Sequence, residues 1–151
     1  MTLHHLMLFL HVLGVAVWVG GMAFAWLCLR PAAMQLPPDR RLTLWCAVLQ
    51  GFFPLVWLAI ALILVSGVGM LTEVGFARAP LAWHVMTLTG GVMIAVFASI
   101  WFGPWREMRT AVVAEDWARA AVAMNRIRQR VGFNLGLGVA TIAVATLGLG
   151  F

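Results

Sequence analysis

Four apolar runs, over residues 3–29, 42–71, 81–102 and 131–151, constrain this chain more than any other feature of its sequence. A helix needs about 20 mostly apolar residues to cross the roughly 30 Å of bilayer hydrocarbon. Each run meets that length, so the pattern predicts an all-α integral membrane protein, a four-transmembrane-helix bundle folded as a single domain over residues 1–151. Composition agrees, because 64% of the 151 residues are hydrophobic and 10% are charged, against about 45–50% and about 25% in soluble domains. A water-soluble fold is therefore not expected, and the length excludes a large multi-domain enzyme. The first run is predicted to be a retained span rather than a signal peptide: no basic segment precedes it, and it ends at Arg30-Pro31, a charge followed by a helix breaker.

The formal net charge of +5 comes from ten arginines, with no lysine, set at the ends of the apolar runs. Arg30, Arg40 and Arg41 mark the first connection, Arg106, Arg109, Arg119, Arg126, Arg128 and Arg130 the third, and Arg78 alone the second. Basic residues beside spanning helices favour the cytoplasmic side. The first and third connections are therefore predicted cytoplasmic, with both termini and the second connection periplasmic, in a bacterial inner membrane. This orientation explains the basic charge by contact with the lipid bilayer and needs no nucleic acid. Cys28 and Cys46 are expected to stay unpaired, as small apolar filler.

The third connection reads as structured. Trp117, Ala120, Ala121, Met124, Ile127 and Val131 recur at helical spacing behind Asp116, a good N-cap. Trp105 to Val113 is expected to extend the third helix past a kink at Gly103-Pro104, making a protruding helical hairpin. Segment 105–130 thus becomes a long amphipathic cytoplasmic extension between helices three and four, a surface for a membrane-protein partner or a homo-oligomer. Within the spans, Gly14, Gly20, Gly21, Gly90, Gly91, Gly132, Gly136 and Gly138 are expected to allow close helix approach. Pro54 is expected to bend the second helix, and Gln50 and Asn134 to turn inward toward hydrogen-bond partners.

With this orientation His4, His5, His11 and His84 all fall in the outer half of the bundle, and ionisable residues inside a membrane mark function by default. His4, Met7 and His11, three and then four residues apart, share one helical stripe. Met70 on the second helix and His84 and Met86 on the third are expected to face it. Imidazole and thioether suit copper, with thioether favouring Cu(I), so His4, Met7, His11, Met70, His84 and Met86 form a candidate metal set. The same bundle could instead hold haem b, with His11 as one axial ligand and His84 or Met86 as the other. Each residue also has a plain packing role, because methionine fills gaps in any apolar core. There is no nucleotide-binding or hydrolase motif and no carboxylate in the middle of a span, so no catalytic residue of a classical enzyme is identified. Glu73 falls in the second connection.

Several stretches carry a family resemblance. Leu10-His11-Val12-Leu13-Gly14 with Val17-Trp18-Val19-Gly20-Gly21-Met22, then Ala61-Leu62-Ile63-Leu64-Val65-Ser66-Gly67, then Trp83-His84-Val85-Met86, and finally Ile127-Arg128 with Asn134-Leu135-Gly136-Leu137-Gly138, resemble the copper resistance protein D (CopD) family. The resemblance implies a four-helix unit associated with moving copper across the inner membrane or with copper tolerance. A more distant resemblance, in the histidine-bearing first helix, is to HemJ-type membrane protoporphyrinogen oxidases and implies haem. Where that family carries a lysine in helix three, this chain has Met86. Three readings follow: a copper-handling membrane protein, a haem-dependent membrane oxidoreductase, and a structural or assembly subunit of a membrane complex.

Overall fold

The computed structural model describes residues 3–147, and every regular element among them is helical. The order is α1 (Leu3–Phe24), a π-helical turn (Ala25–Leu29), α2 (Arg30–Ala33), α3 (Pro38–Val74), a 3-10 turn (Phe76–Arg78), α4 (Leu81–Phe102), α5 (Pro104–Val113) and α6 (Trp117–Thr146). Three helical stretches, Leu3–Ala33, Pro38–Val74 and Leu81–Val113, are long and apolar enough to cross a membrane. Their outward faces are as apolar as their cores: Leu6, Phe9, Val12, Leu58, Val65 and Leu88 are all exposed. Helices that are hydrophobic all round have lipid as their solvent. The fourth apolar run, 131–151, lies on α6 as far as Thr146, and residues 148–151 of it lie outside the described residues.

Helix one does not stop at Arg30-Pro31. It continues to Ala33, because the π turn lies just ahead of the proline, with the Arg30 amide bonding back to the Ala25 carbonyl. Proline in a helix crowds the carbonyl four residues earlier, and a widened turn relieves that crowding. The expected continuation past Gly103-Pro104 is present: α4 ends at Gly103, Pro104 opens α5, which carries the same helical stretch on to Val113, and α6 returns along α5 and α4, its N-terminus capped by Asp116 through a 3.1 Å bond from the Arg119 amide. On that face Ala120, Ala123 and Ile127 are buried, whereas Ala121 is exposed.

Two antiparallel pairs make the bundle, α1 on α3 and α4 on α6, with α6 also touching α1 and α3. In the α4–α6 seam the Asn134 amide donates to the Met93 carbonyl at 3.0 Å, and the Thr141 and Thr89 hydroxyls meet at 2.9 Å. Arg130 donates to the Ser99 carbonyl at 2.9 Å, satisfying one of the carbonyls that the end of α4 leaves without an intrahelical partner. Asn134 thus turns inward as expected, but Gln50 is exposed. The core face of α3 is filled by Leu49, Phe53 and Val56, and Gln50 lies outside that stripe. The pairs are joined by aromatic rings: Phe97 of α4 meets Trp18, Phe53 and Trp57 edge to face, and Phe53 also meets Trp101 and Trp105.

Close approach concentrates at only some of the glycines. A Cβ built on Gly14 would lie 2.8 Å from Ile63 Cγ1 and 2.9 Å from the Ala59 carbonyl, whereas Gly20, Gly90, Gly91 and Gly136 face open space. Gly14→Ala should therefore destabilise the protein by roughly 1–3 kcal/mol, the usual cost of overpacking, while Gly20→Ala should be neutral or mildly stabilising. Unfolding of the two variants in micelles checks this, and equal midpoints would show that the α1–α3 contact does not depend on Gly14.

Candidate functional site

The α1–α3 seam has a regular register. Residues 4, 7, 11 and 14 of α1 alternate three and four apart, the spacing that keeps one stripe facing an antiparallel partner. On α3 the stripe meets Glu73, Gly69, Ser66 and Ile63 in turn. Polar and sulfur-bearing side chains occupy the three rungs nearest the start of α1, and Gly14 closes the series against Ile63.

At the outermost rung His4 Nδ1 lies 3.0 Å from Glu73 Oε2, and both side chains are exposed. Glu73 stands in the last turn of α3, not in a connection, which is why it can face α1. At the next rung Met7 lies over Gly69, its sulfur 3.4 Å from where a Cβ would be, and Met70, the next residue along α3, is buried. At the innermost rung His11 Nδ1 is 3.1 Å from the Ser66 hydroxyl, and the imidazole rests against Gly67, whose missing side chain makes room for it.

The His11–Ser66 contact determines which ring nitrogen is available. Ser66 is fully buried, and its hydroxyl sits 2.5 Å from the Leu62 carbonyl and 3.2 Å from that of Ile63. A serine has one hydrogen to give. Committed to its own helix, that hydrogen leaves the oxygen as an acceptor, so His11 must donate from Nδ1. The lone pair then lies on Nε2. Metal-binding histidines typically show this arrangement, one nitrogen held by a neighbouring acceptor and the other left for the ion. Ser66 was not among the sequence candidates, although a polar residue closing the apolar stretch Ala61–Val65 was a signal for it.

Four of the six candidate ligands, His4, Met7, His11 and Met70, thus fall along or beside one seam. His84 and Met86 stand on the other helix pair, half-buried near the start of α4, where the His84 ring packs edge-on against Phe76 with centroids 4.6 Å apart. Helix α4 packs chiefly on α6. Among the described residues no three His, Cys, Asp or Glu side chains gather into a metal-holding group. Any ion on the seam would therefore depend on thioether sulfur beside imidazole, a donor set suited to Cu(I). Cys28 and Cys46 are both free.

A family model, copper resistance protein D, matches residues 46–147. The match covers about two thirds of the chain and includes Ser66, Met70, Glu73, His84 and Met86, while His4, Met7 and His11 precede it. No curated protein and no solved structure matches the chain.

Proposed function

This chain belongs to the copper resistance protein D family, and from that premise we propose that it holds copper within the membrane, as Cu(I), on the α1–α3 seam. His11 Nε2 is the central ligand, with sulfur from Met7 and Met70 beside it and the exposed His4–Glu73 pair as the outer approach. The observation that supports this reading is the His11–Ser66 bond, which engages Nδ1 on the α3 side of the ring and leaves the lone pair on Nε2. His84 and Met86 belong to α4, outside this ladder, and could receive the ion from it.

Four spans rather than three complete the proposed topology. Phe133, Val139 and Ile142 of α6 beyond its arginines, and Leu147 at its C-terminal end, are exposed and apolar, which supports a fourth crossing. The arginine-rich connections then face the cytoplasm and the histidine rungs the periplasm of an inner membrane. On this orientation α5 and the first turns of α6 form a hairpin at the cytoplasmic surface, held by Glu107, which accepts from Arg126 at 3.1 Å and lies 3.5 Å from Arg119. A haem b bound through His11 would need a second axial ligand from α4, whereas the contact His11 makes is with α3.

Competition titration of the purified protein with a coloured Cu(I) chelator tests the proposal. One tightly held Cu(I) per chain is expected, with no Soret band in the absorption spectrum. Ser66→Ala should keep that stoichiometry but weaken binding by about 10–100-fold, the usual cost of removing the group that orients a ligating imidazole. A Soret band, or copper retained equally by Ser66→Ala, would sink the reading.

A further inference from the structure

At the arginine-rich end of the bundle, far along the chain from the histidine rungs, a cleft opens between the π turn, the start of α3 and the middle of α6. Arg30, Arg41 and Arg128 line it, each half-buried. Their neighbours are unusual for cations. Arg30 lies over the Trp26 ring at 4.9 Å, Arg41 Nη1 points to the Met34 sulfur at 3.8 Å, and Arg128 Nη2 donates to the Asn125 side-chain carbonyl at 2.5 Å. Among the described residues none of the three pairs with a carboxylate.

Glu107 is taken up by Arg119 and Arg126 and Asp116 caps α6, while Asp39, in the first turn of α3, is exposed and forms no ion pair with the three arginines. Three guanidinium groups around one cleft, none paired with a carboxylate, leave room for an anion from outside the chain. Guanidinium forks match the oxygens of phosphate. The rest of the lining is apolar, with Trp45, Leu49 and Phe52 continuing inward from the arginines. A free phosphate ion would gain nothing from those walls, whereas an acyl chain would.

We propose that this cleft binds an anionic phospholipid, its phosphate among Arg30, Arg41 and Arg128 and one acyl chain against Trp45, Leu49 and Phe52. Basic pockets between spanning helices at the cytoplasmic leaflet recognise lipid head groups in this way. The π turn serves the site by carrying Trp26 over α6, where a Cβ on Gly132 would lie 2.8 Å from the indole. That packing fixes the ring on which Arg30 rests.

Native mass spectrometry of the full chain released from nanodiscs of mixed phosphatidylglycerol and phosphatidylcholine tests the proposal. The chain should retain phosphatidylglycerol in preference. The triple variant R30Q/R41Q/R128Q should retain it about a hundredfold less well, roughly fivefold for each guanidinium lost. The charge-matched variant R40Q/R106Q/R109Q, which removes three exposed arginines, should behave like the unaltered protein. If the first triple variant fails to fold, R128Q alone should show the fivefold loss. Equal loss in the two triple variants, equal retention of phosphatidylcholine, or inorganic phosphate displacing the lipid at low millimolar concentration would overturn it, the last by identifying a free-phosphate site.

Discussion

On the proposed reading, His11→Ala is expected to abolish retention of Cu(I) by the purified protein while leaving its helical content and its unfolding midpoint nearly intact. The imidazole is only half-buried, so its removal leaves a shallow gap rather than a deep cavity. What remains, Met7 and Met70, has no nitrogen donor. Removing the groups that merely orient a ligating histidine typically costs 10–100-fold in affinity, so deletion of the ligand itself should exceed about a hundredfold. Binding should also weaken on acidification, because the copper-binding form of an imidazole is the neutral one and protons compete for Nε2. The check is the chelator competition used for the parent protein, repeated at two pH values with circular dichroism to verify folding. Copper held equally by the variant would place the metal elsewhere, the His84–Met86 end of α4 being the next candidate.

Phe97→Ala is expected to be the most destabilising single change in the bundle, at about 3–5 kcal/mol. Phe97 is 3% exposed and meets three rings, with centroids 6.2 Å away at Trp18, 5.3 Å at Phe53 and 5.2 Å at Trp57. It carries aromatic contact from α4 to both α1 and α3. In lipid, helices gain little from the hydrophobic effect on associating, so van der Waals packing carries most of the association, and edge-to-face pairs add to it. Phe102, five residues on, is 60% exposed and touches only the Arg106 guanidinium among these rings and cations. Its replacement by Ala should cost under about 1 kcal/mol, the value of an exposed cation–π contact. Denaturant unfolding in micelles, followed by tryptophan fluorescence, compares the two. Similar costs would mean that the helix pairs are held together by something other than the ring cluster.

Much of this architecture could be read without coordinates because lipid imposes a one-dimensional constraint: a spanning segment must be long, apolar and helical, and its charges must stand at the ends. The apolar runs of α1, α3 and α4, the helix break at Gly103-Pro104, the Asp116 cap and the shared stripe of His4, Met7 and His11 all follow from local spacing. Family membership was legible for the same reason, in short motifs such as Trp83-His84-Val85-Met86 and Asn134-Leu135-Gly136-Leu137-Gly138 that keep their order along the chain.

Which helix faces which was not legible, since apolar periodicity carries no information about partners when both the lipid and the core are apolar. Only the tertiary structure decided that the histidine stripe of α1 lies against α3, that Ser66 is the residue bonded to His11, and that α4 packs on α6 with His84 against Phe76. It also decided that Gln50 faces outward and that Pro31 is accommodated by a π turn instead of ending the helix. The chain itself determined a helical protein with spans long and apolar enough to cross a membrane, arginines at the ends of its apolar runs, and a histidine and methionine stripe near the start of its first helix. The pairing of its helices, set by side-chain shape across seams that are far apart in sequence, decided which of those side chains can meet.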